Sequence, residues 1–385
     1  MVMKLKQWVL AAVVLGALSP GVALAQSMSQ VWDNFSTGFT VDAPGAKWFY
    51  FGAGTFTGNN GVATTSSLGL TVRAPGTHPT TGLPAFSLSV APEASSGLPG
   101  GLDHVKWLAY MNTMSSWGYA GFSVATNEQF KCTTTISGRT YGTEYHPFGS
   151  AVSNSQTDPR LATFAMNTID FESYMVFDFM FTNETIYAIY ERLPFGRTAT
   201  NNYAAFTYAI PVGTRTPTSS HTVSITYNRS DRTVSWKIGG VEVFNVSTIG
   251  RRLARQYMII DHGGTERTVD MRQLNCGMGT FTLLDASMSG GAGLVRLSSN
   301  ANFYYLPSVG TSSPLSFLDE LSQPGSRLFG QGAEFTVKSF SVSRSTVSTG
   351  KECPTAPVFG PGEDPDPSGG LETNMICPLG NTTEM

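Results

Sequence analysis

Short stretches in which every second residue is apolar recur along most of the chain. The stretch NTIDFESYMVFDFMFT, residues 167–182, shows this period of two most clearly, with three carboxylates among its polar positions. A period of two is typical of β-strands whose two faces differ in polarity. Turns rich in Gly, Asn, Pro or Asp separate these stretches, and no long stretch has a clean helical period. The sequence therefore predicts an all-β protein.

Two longer segments predict strands joined by short turns. SYMVFDFMFTNETIYAIYERL indicates two strands joined at residues 182–185. HTVSITYNRSDRTVSWKIGGVEVFNV indicates three strands with turns at 228–231 and 239–240. The simplest architecture is a single large jelly-roll β-sandwich over residues 26–345. Residues 346–385 are rich in Pro and Gly and are expected to form a tail without a core of its own.

Residues 1–25 have the features of a signal peptide: Lys4 and Lys6, an apolar run, and a small-x-small cleavage site that ends at Ala25. The mature chain is therefore expected outside the cytoplasm, either extracellular or, in a Gram-negative host, periplasmic. No later apolar run reaches the length of a membrane span. Charged residues make up 13% of the chain and the net charge is −3, so nucleic acid is not an expected partner.

Four cysteines follow the signal peptide: Cys132, Cys276, Cys353 and Cys377. An exported chain meets an oxidising compartment, so two disulfides are expected. Three pairings are possible, and Cys132–Cys276 with Cys353–Cys377 is favoured because the tail pair closes a local loop. No Cys-x-x-Cys occurs, and the sequence predicts no metal and no cofactor.

Three segments in order resemble the concanavalin A-like sandwich of lectins and family-16 glycoside hydrolases (laminarinases and lichenases). They are WDNFSTGF at 32–39, HTVSITYNRSDRTVSWKIGGVEVF at 221–244 and EFTVKSFSVSR at 334–344. The whole chain resembles more closely a family of secreted bacterial and fungal proteins catalogued only as a domain of unknown function. The segments at 160–195, 203–212 and 259–266 carry that second resemblance, which implies a fold but no activity.

The hydrolases carry Glu-x-Asp-x-Glu on one strand, and the matching frame here contains Thr168, Asp170 and Glu172. These three side chains are expected to point into the concave face, with Ile169 and Phe171 in the sandwich core. A retaining mechanism needs two carboxyl groups about 5–5.5 Å apart, one of which attacks the sugar. Threonine cannot replace that carboxylate, so the resemblance implies a glycan cleft without the retaining mechanism.

Other residues are candidate ligand contacts. Tyr174 and the pair Trp107 and Trp117 are candidates for stacking on a sugar, although burial is the commoner fate of tryptophan. Asp178 is expected at a polar rim, and Glu191 either contacts a ligand or pairs with Arg192. In MIIDHGGTER, His262 between Asp261 and Glu266 is a candidate general base; the alternative is a tight turn capped by Asp261 and Thr265.

Three functions remain open from the sequence. The preferred one is binding of a glycan or another polyhydroxylated ligand at a concave face. The second is an enzyme (a hydrolase, lyase or isomerase) that uses Asp170 and Glu172, or His262. The third is a structural or interaction protein without a small-molecule site. Exposed aromatic residues beside the acids favour binding, a deep pocket joining Glu172 to His262 favours catalysis, and a filled concave face favours the third.

Overall fold

A computed structural model describes residues 27–52, 57–78, 80–87, 105–284, 292–294, 296–297, 303–305, 314–316 and 328–347. Almost all regular structure in these residues is β-strand, arranged in two large antiparallel sheets. The predicted all-β jelly-roll sandwich is therefore confirmed. The proposed signal peptide, the tail beyond residue 347, Cys353 and Cys377 lie outside the described residues.

The two large sheets account for most of the strands. The eight-stranded sheet contains, in spatial order, β16 (Val241–Val246), β15 (Thr233–Ile238), β14 (Ser220–Asn228), β9 (Glu128–Tyr141), β22 (Gly332–Thr346), β4 (Gly69–Arg73) and β3 (Val62–Ser66), with β1 (Met28–Asp33) also paired to β22. The nine-stranded sheet contains β17 (Met258–Asp261), β13 (Phe206–Thr214), β12 (Thr185–Arg192), β11 (Met175–Phe181), β10 (Thr163–Asp170), β18 (Gln273–Phe281), β7 (Val105–Met111) and β2 (Trp48–Tyr50), with β8 (Phe122–Ser123) also paired to β18.

Smaller elements complete the described structure. They are the pair β5 (Gly76–Thr77) and β6 (Pro84–Ala85), the three-stranded sheet β19 (Arg296–Leu297), β20 (Phe303–Tyr305) and β21 (Pro314–Ser316), and short 3-10 helices at Thr143–Tyr145, Gly149–Ala151, Pro194–Gly196, Arg255–Tyr257 and Leu328–Gly330.

The strands predicted from turn residues form as expected. β11 and β12 pair antiparallel through the turn at 182–185. β14, β15 and β16 pair in succession through the two predicted turns. The closing strand β22 lies beside the opening strand β1.

The main core lies between the two sheets and is rich in aromatic side chains. Phe177, Phe179 and Tyr190 of the nine-stranded sheet meet Trp236 and Tyr227 of the eight-stranded sheet in one buried cluster. The disulfide Cys132–Cys276 crosses this core and links β9 to β18, so the favoured pairing of these two cysteines is confirmed.

A second apolar cluster covers the face of the nine-stranded sheet that points away from the core. We call this the outer face. Ile169, Val176, Met180 and Ile189 lie there, beside Tyr110. Because both faces are covered, every residue of β10, β11 and β18 is buried.

Candidate functional site

The predicted orientation of residues 168–172 is wrong. Ile169 belongs to the outer-face cluster and not to the core between the sheets. Thr168 pairs with Cys276, whose sulfur crosses the core, so Thr168 is on the core side. Its hydroxyl donates to the carbonyl of Phe177 at 2.6 Å. Thr168 therefore supports the sheet and does not line an open cleft.

Asp170 is the last residue of β10 and caps the turn that follows. It is 1% exposed. Its carboxylate accepts hydrogen bonds from the backbone N–H groups of Glu172 and Ser173, from the Ser173 hydroxyl and from the Gln273 amide. Burial raises the pKa of Asp170, and these hydrogen bonds oppose the rise. The Asp170 carboxylate is therefore engaged in hydrogen bonds that stabilise this turn.

Glu172 is not on the strand, because β10 ends at Asp170. It lies in the turn at 171–174 and forms a two-point ion pair with Arg272, with Nε at 2.7 Å from Oε2. Tyr174 ends this turn with a positive φ of 60°, and its ring packs edge-on against Phe195. Phe171 is half-buried against the outer-face cluster.

The segment around His262 forms a tight turn that Asp261 caps, whereas Thr265 pairs through its backbone with Asn202 and Ala204. Asp261 accepts from the Gly263 N–H at 2.9 Å and from Arg252 and Arg255 at 3.0 Å each. Burial alone would raise the pKa of Asp261, but these donors outweigh it and lower that pKa. The exposed Glu266 lies 3.7 Å from Arg252, and the His262 backbone N–H donates to Ala205. This geometry orients the two acids toward arginines.

A row of polar side chains crosses the outer face of the nine-stranded sheet. Thr207 on β13 donates to Glu191 on β12 at 2.5 Å. Asn167 on β10 donates to Asp178 on β11 at 2.8 Å. Strand register places Glu191 opposite Val176, two residues from Asp178, so the two carboxylates are diagonal neighbours. Four adjacent strands thus contribute one polar row.

Tyr110 extends this row by lying over a glycine. Gly277 on β18 pairs with Tyr110 on one side and with Asn167 on the other. A Cβ at Gly277 would come within 2.5 Å of the Tyr110 ring. Glycine is therefore the residue that lets the ring lie across β18 toward the carboxylates.

Asp178 is inserted into the ladder between β10 and β11. Its Oδ1 accepts the backbone N–H of Thr168 at 2.8 Å. The Asp178 backbone carbonyl accepts the indole N–H of Trp236 from the facing sheet at 2.9 Å. Asp178 is thus held at two points, its carboxylate by Thr168 and its backbone carbonyl by Trp236 of the facing sheet.

Burial raises the pKa of Asp178 well above its ordinary value, and the carboxylate of Glu191 adds to the rise. The hydrogen bonds from Thr168 and Asn167 oppose it. Burial likewise raises the pKa of Tyr110, and both carboxylates contribute. The row thus combines an acid and a phenol whose charged forms are both disfavoured by burial.

A small cavity of about 40 Å³ adjoins this row. Its lining is mostly apolar and includes Ile169, Leu193 and Phe281, with Asp178 and Glu191 among the polar members. A cavity of this size admits water-sized groups and not a whole ring. The buried side-chain oxygen of Asn167 has no hydrogen-bond partner within the described residues.

Half-buried aromatic rings stand around the cavity. Phe171 meets Tyr110 edge-to-face with ring centres 5.3 Å apart, and Phe51 contacts both at 6.0–6.1 Å. Phe195 lines the cavity itself. Aromatic rings beside a few fixed polar groups are typical of small-molecule sites.

A larger groove of about 420 Å³ opens at the other end of β12. It is lined by Thr157, Glu184, Thr185, Thr214, Arg215, Thr216 and Pro217. Arg215 is buried there, and its guanidinium donates to the backbone carbonyls of Thr182, Asn183 and Gly138. This groove contains no aromatic side chain.

The structure brings together two predicted ligand contacts, Asp178 and Glu191, and separates them from Asp170, Glu172 and His262. Asp178 is 5% exposed and so is not at the rim. Sequence reasoning missed Tyr110, Asn167 and Thr207. Only the register of six strands joins them, and no local motif contains them. Trp107 is fully buried, whereas Trp117 is 48% exposed.

The match to a family model decides the classification of this chain. Residues 32–346 match the model described as a family of unknown function, DUF6081. The chain belongs to this family. An uncharacterized protein, L829, of Acanthamoeba polyphaga mimivirus is 29% identical over 285 residues, which cover 60% of this chain and 61% of that protein. The chain thus spans about three fifths of the length of this relative.

Solved structures with similar strand arrangements come from carbohydrate-active enzymes. An endo-1,3-beta-glucanase from Streptomyces sioyaensis has a TM-score of 0.37 and 8% identity, covering 86% of this chain and 100% of that one. The apo Crh5 transglycosylase has a TM-score of 0.35 and 11% identity, with 83% and 84% covered. The family 7 alginate lyase A1-II′ has a TM-score of 0.33 and 9% identity, with 74% and 82% covered. These values transfer no property to this DUF6081 member, whose fold assignment rests on its own two sheets.

Two further observations apply to the described part of the chain. No helix in it is long and apolar enough to cross a membrane. No group of three His, Cys, Asp or Glu side chains in it is arranged to hold a metal ion.

Proposed function

We propose that this protein binds a glycan at the outer face of the nine-stranded sheet. The observation that supports the proposal is the polar row of Tyr110, Asn167, Asp178, Glu191 and Thr207 beside a cavity with an aromatic rim. Sugars combine hydroxyl groups with apolar C–H faces. A site for them needs fixed hydrogen-bonding groups next to aromatic surface, and this face provides both.

The size of the cavity decides how a sugar is seated. The cavity of about 40 Å³ accommodates a hydroxyl or hydroxymethyl group. One such substituent of the sugar therefore enters the cavity while the sugar ring stays outside. The ring then rests on the half-buried rim of Phe51, Phe171 and Phe195. The inserted hydroxyl then lies within hydrogen-bond reach of the carboxyl groups of Asp178 and Glu191.

The compartment is part of the proposal. A glycan ligand fits an exported protein, and the disulfide Cys132–Cys276 is of the kind that persists in oxidising compartments. The signal-peptide pattern of residues 1–25 points the same way.

Glycoside hydrolysis is the second candidate, and one observation favours it. Asp178, whose pKa is raised by burial, lies diagonal to Glu191, and acid–base hydrolysis uses two such carboxyl groups, one as acid and one as base or nucleophile. Binding remains preferred because the cavity is too small to enclose a glycosidic bond together with an attacking water.

A glycan array run beside a hydrolysis screen tests both functions. Glu191→Gln keeps the shape of the site but removes a charged acceptor, so calorimetry should show affinity for the bound glycan about ten- to a hundredfold weaker. Glu184→Gln, an exposed glutamate at the other end of β12, is the matched control and should bind normally. Equal affinity of wild type and Glu191→Gln would refute the site, and turnover that Glu191→Gln abolishes would favour the hydrolase.

A further inference from the structure

A second group of exposed side chains lies at the end of the nine-stranded sheet. Trp117 is 48% and Tyr119 37% exposed, on the loop that follows β7. The guanidinium carbon of Arg272 lies 4.3 Å from the centre of the Trp117 ring. Arg272 is in turn held by the two-point ion pair with Glu172. One face of the indole is therefore covered by a neutralised ion pair.

The loop that carries Trp117 is tied to the start of β18. The Ser115 hydroxyl donates to Gln273, the first residue of β18, at 2.7 Å. Four residues separate Gln273 from Gly277 along this strand. Strand rise sets this separation at about 13 Å. The Trp117 group thus lies beyond the cavity, along the same strand.

Phe171 connects the two places. Its ring contacts Tyr110 of the polar row, and its neighbour Glu172 is the ion-pair partner of Arg272. The turn at 171–174 thus places a residue that contacts Tyr110 directly before a residue that pairs with Arg272, the cation over Trp117. One sugar ring cannot span from Tyr110 to Trp117, but a short oligosaccharide can.

We infer that Trp117, with Arg272 and Glu172, forms a second contact for the same glycan, and that this glycan is a neutral chain of several sugar units. The inference rests on the proposed binding at the outer face. A ring stacks on the uncovered part of the indole, while the guanidinium donates to its hydroxyl groups and the carboxylate accepts from them. Because the ion pair is already neutralised, it offers no net charge to select an acidic sugar.

Calorimetry with laminarin oligosaccharides of increasing length tests this inference, since they are neutral chains of controlled size. Wild-type affinity should rise with length and then level off. In Trp117→Ala the shortest sugars should bind as in wild type, whereas the longer chains should lose about tenfold or more. Tyr145→Ala removes another exposed aromatic, 49% exposed and stacked on His78, and should leave the length dependence unchanged.

The outcomes separate the two proposals. Equal length dependence in wild type and Trp117→Ala would refute the second contact while leaving binding at the polar row intact. Absence of binding for every length in wild type would overturn the inference for neutral chains. Loss of the shortest sugars in Trp117→Ala would also overturn it, provided thermal melting shows the variant folded.

Discussion

At the scale of single residues, the four acids differ in where they lie. Asp170 and Glu172 are engaged by a turn cap and an ion pair. Asp178 and Glu191 also accept hydrogen bonds, but they lie side by side on the outer face, where burial raises the pKa of Asp178. Placing two carboxyl groups there costs stability, which is commonly a sign of function.

Asp178→Asn tests the protonation of this acid. The pKa of Asp178 in the folded state lies above the unfolded value near 3.8. Its contribution to stability is therefore fully present below that value and is lost as pH rises through the folded pKa. Asparagine does not titrate, and Asn167 can flip its amide to pair with it.

The melting temperature of Asp178→Asn should therefore gain on wild type as the pH rises above about 4. Asp231→Asn, in the exposed turn after β14, is the control and should show no such trend. A constant difference across this range would contradict the raised pKa.

Asp170→Ala tests the structural role of an acid that the sequence made a candidate catalytic residue. Removal of the carboxylate leaves the backbone N–H groups of Glu172 and Ser173 and the amide of Gln273 without an acceptor. The free energy of unfolding should fall by about 1–3 kcal/mol in urea titrations. A variant of unchanged stability but lost binding would return Asp170 to the list of ligand contacts.

At the scale of elements, the nine-stranded sheet positions the polar row through strand register and through one cross-sheet hydrogen bond. The indole of Trp236 on β15 reaches the backbone carbonyl of Asp178 on β11. The ladder of β10 and β11 opens at this point to admit the Asp178 carboxylate. The eight-stranded sheet therefore helps to fix a site on the far side of its partner.

Trp236→Phe tests this support. Phenylalanine keeps most of the packing but leaves a buried carbonyl without its donor, so unfolding free energy should fall by about 1–3 kcal/mol. Trp32→Phe removes an indole hydrogen bond to Lys47 at a partly exposed position, where water replaces it, and should cost less. Equal losses in the two variants would argue against a special role for Trp236.

The sequence predicted the positions of the strands better than the sheet face on which each side chain lies, for a physical reason. Turn residues mark where strands 175–192 and 221–246 begin and end, and these came out as expected. Alternation over 168–172 gives the period of a strand but not its orientation. Both faces of β10 are covered by apolar side chains. Ile169 can therefore be buried on the outer face as well as in the core between the sheets. Only the pairing of distant strands joins Tyr110, Asn167 and Thr207.

At the scale of the whole molecule, one covalent link joins the two sheets. Cys132 and Cys276 are 144 residues apart in sequence. Replacing both with alanine should lower the unfolding free energy by about 2–5 kcal/mol. The corresponding double variant of Cys353 and Cys377, in the proposed tail, should melt as wild type does. A large loss from the tail variant would show that residues beyond 346 belong to the domain.

A crystal structure of the protein with its bound glycan would show whether the ligand lies at the outer face of the nine-stranded sheet. We expect a sugar hydroxyl within hydrogen-bond distance of the Asp178 or Glu191 carboxyl group. The sugar ring should lie over the rim of Phe51, Phe171 and Phe195. A glycan seated in the larger groove beside Glu184 and Pro217, with the outer face unoccupied, would contradict this expectation.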